Sequence, residues 1–217
     1  MRVYGDIHSG NCYKIKLLLL YLEVPHDWVH IDILAGETQG EEFLSRNPVG
    51  KIPAVELEAR RTLFESNAIL NYLAEGTAFL PEDRWLRAQV LQWQFFEQYS
   101  HEPFIAVARF IAKYLGLPND REQEYRSKQQ GGNRALSVMD QHLARNLYFV
   151  GDIPTIADIS LYAYTHVAYE GGFDLEAFPA VGGWLLRMEA LPNHLTMEQA
   201  AAETGTAEIN KQAVDDT

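Results

Sequence analysis

Two short stretches hold the residue types that chemistry needs. The first is Ser9-Gly10-Asn11-Cys12-Tyr13-Lys14, at the start of a segment with apolar residues at helical spacing. A helix N-terminus carries unsatisfied N–H groups and a partial positive charge, so a thiol placed there is acidified. Here that place is held by Ser9, and the only cysteine, Cys12, follows three residues later. A serine cannot form a disulfide, so dithiol redox chemistry through the protein's own side chains is excluded. A hydroxyl can instead donate a hydrogen bond to a thiolate supplied by a ligand, and the amide of Asn11 can do the same. A free thiol of pKa ~8.5 is mostly protonated at pH 7, and lowering it by two units takes about 2.7 kcal/mol. One hydrogen bond to a charged group supplies about 1.5–3 kcal/mol and a helix N-terminus up to ~1 kcal/mol, which suffices.

The second stretch runs from Asn47 to Ser66, NPVGKIPAVELEARRTLFES. Pro48, Gly50 and Pro53 mark a turn-rich segment. Ala54-Val55-Glu56-Leu57 and Thr62-Leu63-Phe64 read as two short strands joined by the polar reversal Glu58 to Arg61, a hairpin. Glu65-Ser66 then opens a helix whose apolar stripe is Ala68, Ile69, Leu70, Tyr72 and Leu73. Free N–H donors at such a start make it a ready site for a carboxylate. The same pair would also serve as a plain helix cap.

Further elements must position these two stretches. Arg2 to Gly5 reads as a first strand, about Gly10 to Leu22 as a helix, Trp28 to Ile31 as a second strand, and Glu41 to Ser45 as a helical turn or two. The order β-α-β-α-β-β-α joins a parallel strand-helix-strand unit to a hairpin. Residues 77–83 read as a linker between a first domain, 1–76, and an all-helical second domain, 84–217, that ends in a frayed acidic tail. In the second domain, Arg84 to Leu115 reads as one long helix kinked at Pro103, with further helices over Glu124–Asn146, Thr155–Tyr169 and Phe178–Leu191. Thr155-Ile156-Ala157-Asp158 has the spacing of a capping box, with Ile153 placed to staple against Ile159.

This pattern resembles the cytosolic glutathione transferase family, in a bacterial-type form with a serine-type or asparagine-assisted active site. The resemblance rests on the proline-hairpin-helix stretch and on Gly151-Asp152-Ile153-Pro154-Thr155-Ile156-Ala157-Asp158. It implies an α/β thioredoxin-like N-terminal domain and an all-α C-terminal domain. It implies a cis Pro53, an Ile52 backbone paired with the cysteinyl unit of glutathione, and Glu65-Ser66 holding the γ-glutamyl carboxylate. By position, Lys51, Thr38 and Gln39 would reach the glycyl carboxylate. Ser9 and Asn11 are the candidates to meet the sulfur, with Tyr4 and Cys12 as further alternatives; Cys12 reads better as a small buried hydrophobe. Tyr99, His101 and Arg109 are candidates to line an electrophile pocket or a dimer contact.

The expected activity is attack of glutathione thiolate on a small soft electrophile, with glutathione as co-substrate and neither metal nor bound organic cofactor. Glutathione-dependent reduction of disulfides or peroxides on the same fold is the alternative, and a non-catalytic binding or regulatory protein is the second. A homodimer is implied by the resemblance. A formal charge of -12 over 217 residues argues against a nucleic-acid partner. The apolar run Leu17–Leu22 is far too short to span a bilayer, and one cysteine fits a reducing cytoplasm.

Overall fold

A computed structural model describes residues 1–204. They form two compact units: Met1–Leu73 together with the segment from Pro192, and Ala74–Leu191. The first unit holds β1 (Arg2–Gly5), α1 (Gly10–Tyr21), β2 (Asp27–His30), α2 (Glu41–Leu44), β3 (Ala54–Glu56), β4 (Thr62–Phe64) and α3 (Ser66–Ala74). Strand order is β2-β1-β3-β4, with β1 parallel to β2 and antiparallel to β3, and β3 antiparallel to β4. This is the thioredoxin-like arrangement.

Alternation along β1 sends neighbouring side chains to opposite faces of the sheet. Tyr4 packs with Phe43 of α2 and Ala54 of β3. Val3 is fully buried, and Gly5 meets Cys12 of α1: a Cβ added at Gly5 would stand 2.5 Å from the Cys12 sulfur. Ile15, Leu18 and Leu19 of α1 are fully buried, as the apolar spacing predicts; so is Leu17, whereas Leu22, at the end of the helix, is only half-buried.

The C-terminal segment returns to this same unit. Asn193 donates to Glu23 (2.9 Å), His194 pairs with the Tyr21 hydroxyl (2.8 Å), and the Tyr13 hydroxyl donates to the Leu195 carbonyl (2.6 Å). A final helix, α9, spans residues 197–204, and its Glu203 pairs with Lys16 at 3.5 Å. The acidic tail expected beyond it lies outside the described residues.

The second unit is helical: α4 (Arg84–Phe96), α5 (Glu102–Arg109), α6 (Glu122–Leu143), α7 (Ile156–Thr165) and α8 (Pro179–Glu189). The single long helix expected over Arg84–Leu115 is interrupted. A π-helical turn, Glu97–His101, precedes α5, and a second one, Phe110–Tyr114, follows it. Pro103 sits in the first turn of α5, where its missing N–H costs little, so the irregularity falls just before it. The helix after Thr155 also stops earlier than expected, at Thr165, with a 3₁₀ turn over Ala168–Gly171. Gly131 and Gly132 in α6 let Phe104 and Phe173 approach the helix closely: Cβ atoms there would stand 2.2 Å from those rings.

The capping box is formed. Fully buried Asp158 accepts from the Thr155 N–H (2.9 Å) and the Thr155 hydroxyl (3.1 Å), and also from the Phe149 N–H (3.0 Å) and Trp184 Nε1 (3.0 Å). Burial pushes its carboxyl up to about 6 against the pull of those donors. The expected Ile153 staple is absent, because Ile153 is 55% exposed while Ile159 is buried. With Thr155 as N-cap, the position that staples is occupied by Pro154 and Ile153 lies one residue further out.

Two outcomes follow from this packing. Asp158→Ala leaves three buried N–H donors without an acceptor and is expected to destabilise the protein by about 3–5 kcal/mol, against about 0.5–2 kcal/mol for Thr155→Ala, measured by denaturant unfolding. The second concerns His194, whose imidazole burial holds down at about 4. Between its usual value of about 6.5 and 4, the unfolded chain takes up a proton that the folded chain refuses. Stability is therefore full above that window and falls as pH drops through it. His194→Gln is expected to flatten the fall relative to the unsubstituted protein in unfolding curves across that range.

Candidate functional site

The site is built where β1 and β4 end. After β1, the chain turns through Asp6, whose carboxylate accepts from the His8 N–H (2.9 Å) and whose carbonyl accepts from the Ser9 N–H (3.0 Å). Ser9, half-buried and extended, caps α1: its carbonyl accepts from the N–H groups of Cys12 (3.0 Å) and Tyr13 (2.8 Å). Its hydroxyl makes no capping hydrogen bond to the helix backbone. Cys12 lies in the core. Burial pushes its thiol far above the usual range, and a hydrogen bond with the Ser9 side chain offsets that only in part. A thiol so held is not a nucleophile.

Two residues beyond β4, Ser66 begins α3 with 5% of its surface exposed. Its hydroxyl donates to Oδ1 of Asn11 at 2.9 Å. The starts of α1 and α3 are thus joined side chain to side chain. Glu65, just before, is exposed and adopts a left-handed backbone, φ 66°. A non-glycine residue held there is strained, and such strain gathers at ligand sites.

The remaining candidates lie on the approach to β3. Ile52–Pro53 is a cis peptide. Lys51 is exposed, and its carbonyl accepts from Nδ2 of Asn47 (2.6 Å). Buried Asn47 also takes the Val49 N–H on its Oδ1 (2.9 Å), so it holds the loop that presents Lys51 and Ile52. Gln39 donates to the Gly50 carbonyl and to the Thr38 hydroxyl, both at 3.2 Å, which ties that pair to the same loop. Sequence reasoning missed the role of Asn47. Its signal was an Asn ahead of a proline at a loop start, where Asn side chains bond nearby backbone.

Tyr4 does not belong to this group. Its hydroxyl donates to Glu56 (3.1 Å) and Arg46 stacks over its ring at 4.5 Å, on the opposite face of β1 from Gly5 and Cys12. Tyr99, His101 and Arg109 all lie in the second unit. Tyr99 is 85% exposed. His101 is fully buried with Nε2 on the Thr165 hydroxyl (2.9 Å), and buried Arg109 pairs with Glu170 (2.6 Å). Those two side chains lie in the interior of the second unit, whereas Tyr99 is at its surface. Among the described residues, no group of three His, Cys, Asp or Glu is placed to hold a metal ion, and no helix is long and apolar enough to cross a membrane.

Comparison with known families decides what this geometry belongs to. Residues 1–75 match the N-terminal domain of glutathione S-transferase, and residues 92–192 match its C-terminal domain. The chain belongs to the glutathione S-transferase family. Glutathione S-transferase F10 of Arabidopsis thaliana is 32% identical over 76% of this chain and 79% of its own. The disulfide-bond oxidoreductase YfcG of Escherichia coli K12 is 29% identical over 85% of this chain and 88% of its own. Among solved structures, a glutathione S-transferase from Pseudomonas fluorescens Pf-5 is 58% identical, covers 90% of this chain and 98% of its own, and superposes with a TM-score of 0.89. A glutathione transferase from Burkholderia graminis, solved with two glutathione molecules per subunit, is 26% identical over 92% of this chain and 86% of its own, with a TM-score of 0.79.

Two measurements check the reading of these residues. Cys12 is expected to resist a thiol reagent in the native protein at pH 8 and to react fully once unfolded. Glu65→Gly relieves the left-handed strain and is expected to raise stability by about 1 kcal/mol, less the added freedom of the unfolded chain. The same change should weaken glutathione binding in calorimetry.

Proposed function

We propose that this protein is a glutathione transferase that activates the ligand's sulfur with donors at the start of α1. The observation that carries the reading is the 2.9 Å bond between Ser66 and Asn11. It joins the starts of α1 and α3, which supports a ligand that uses both. Glutathione would lie with its γ-glutamyl carboxylate on the first N–H groups of α3 beside Glu65 and Ser66, and its cysteinyl unit along Ile52 ahead of Pro53. Its glycyl carboxylate would lie toward Lys51, with Thr38 and Gln39 behind. Ser9 and Asn11 share the thiol. Stabilised as thiolate, it attacks a soft electrophile: a sulfur–carbon bond forms, the leaving group departs, and the thiol proton goes to solvent. No metal or organic cofactor enters that step. The chain is proposed to divide as 1–76 and 84–217 about a linker over 77–83, with the segment from Pro192 returning to the first unit.

The similarity to YfcG, named a disulfide-bond oxidoreductase, favours a second reading in which the same thiolate attacks a disulfide. Conjugation of an aryl halide, against reduction of a mixed disulfide or hydroperoxide with glutathione, separates the two. Failure of all three assays in a protein that binds glutathione would support a binding role instead. Glu65→Ala is expected to raise KM for glutathione with kcat nearly intact, because the γ-glutamyl end does not react. A normal KM with collapsed kcat would remove Glu65 from the binding role.

A homodimer and a cytoplasmic place complete the proposal. Leu91, Phe95 and Tyr99 recur every four residues along α4 and the turn after it, and are 42%, 65% and 85% exposed. An apolar stripe of that kind marks an interaction face. Phe95→Asp with Tyr99→Asp is expected to give a monomer in sedimentation, where the unsubstituted protein is a dimer.

A further inference from the structure

We propose that this chain reads glutathione from its γ-glutamyl end and leaves the glycyl end almost unread, so that the site takes γ-glutamylcysteinyl thiols whose glycyl carboxylate is missing or masked. The inference rests on the glutathione reading above and deepens it. By sequence position, Thr38, Gln39 and Lys51 would reach the glycyl carboxylate. The structure gives the first two other work. The Gln39 amide has two protons to donate. Its Nε2 donates to the Gly50 carbonyl and to the Thr38 hydroxyl, both at 3.2 Å, so both protons are in use. A carbonyl only accepts, so the Gly50 contact fixes which end of the amide meets the loop. The other end of Gln39 is its oxygen, an acceptor, which repels a carboxylate. Thr38 is 8% exposed, and its hydroxyl oxygen receives a Gln39 proton. Turning Gln39 out toward a carboxylate would exchange one acceptor for another and leave the Gly50 carbonyl without this donor.

Gly50 suits that contact. Its backbone is left-handed, φ 66°, and a Cβ there would stand 2.7 Å from Nε2 of Gln39. Its N–H donates to the Asn47 carbonyl (3.0 Å), and Nδ2 of Asn47 donates to the Lys51 carbonyl (2.6 Å). Gln39 therefore fastens the same loop that Asn47 holds, and the next residue, Ile52, is the backbone that would meet the cysteinyl unit. Gln39 is a positioning residue for that unit and not a ligand of the glycyl one. Lys51 is left as the one charge of the three. It is exposed, and an exposed lysine–carboxylate pair changes affinity by about fivefold at most. The γ-glutamyl carboxylate, by contrast, meets several free N–H groups at the start of α3.

The test is calorimetric binding of glutathione, its glycyl ethyl ester and γ-glutamylcysteine to the unsubstituted protein and to two variants. The ester and γ-glutamylcysteine are expected to bind within about tenfold of glutathione. Lys51→Ala should bring glutathione down to the level of the ester. Gln39→Ala should weaken all three ligands by one common factor, about two- to fivefold, because the loop it frees serves the cysteinyl unit they share. Binding stoichiometry should stay unchanged, which a merely misfolded variant would lose. A preference for glutathione over either of the others by more than about tenfold overturns the proposal. A Gln39→Ala loss confined to glutathione, or no loss for any of the three, also overturns it. If glutathione itself does not bind the unsubstituted protein, the glutathione reading falls instead, which is a separate and visible result.

Discussion

Strands β1 and β4 point the same way on either side of β3, and the site depends on that constraint. Each is followed closely by a helix, so α1 and α3 begin at the same end of the sheet. A helix start carries unsatisfied N–H groups and a partial positive charge, and two together make a place suited to a ligand with two anionic groups. Glutathione as a thiolate is such a ligand. Antiparallel pairing of β3 with both neighbours is what makes β1 and β4 parallel. A hairpin turn, which costs few residues, thereby does what a second crossover would otherwise have to do.

The protein's one thiol is kept out of that place. Gly5 leaves room on β1 for the Cys12 sulfur, and burial holds the thiol protonated. Ser9 occupies the position at the helix start that an acidic thiol would take. The same division appears in the second unit, where the polar groups of greatest burial serve structure. Asp158 gathers four hydrogen bonds from Thr155, Phe149 and Trp184, and Arg109 pairs with Glu170.

The returning C-terminal segment adds a support that bears on α1. Tyr13 stands one residue after Cys12 and donates to the Leu195 carbonyl, and Tyr21 at the far end meets His194. The helix that presents Ser9 and Asn11 is therefore held at Tyr13 and Tyr21 by residues 182 and 173 positions away in the chain. Fixing a helix before its ligand arrives lowers the ordering cost of binding.

The sequence by itself determined the strands, α1, the hairpin, the start of α3 and the Thr155–Asp158 box, because each is written in local terms: alternation, helical spacing, a turn, a cap. It also determined that the cysteine could not run dithiol chemistry, since that needs two thiols. It did not show that Ser66 bonds to Asn11, 55 residues earlier. It did not show that Asn47 fastens the Lys51 loop, or that residues after Pro192 rejoin the first unit. It named His101 and Arg109 as candidates for an electrophile pocket or a dimer contact, and did not show that they pack onto Thr165 and Glu170. Only the tertiary structure decided these points, because each depends on which face a side chain turns toward an element distant in sequence. Spacing along one element fixes its own stripe but carries no record of what that stripe will meet.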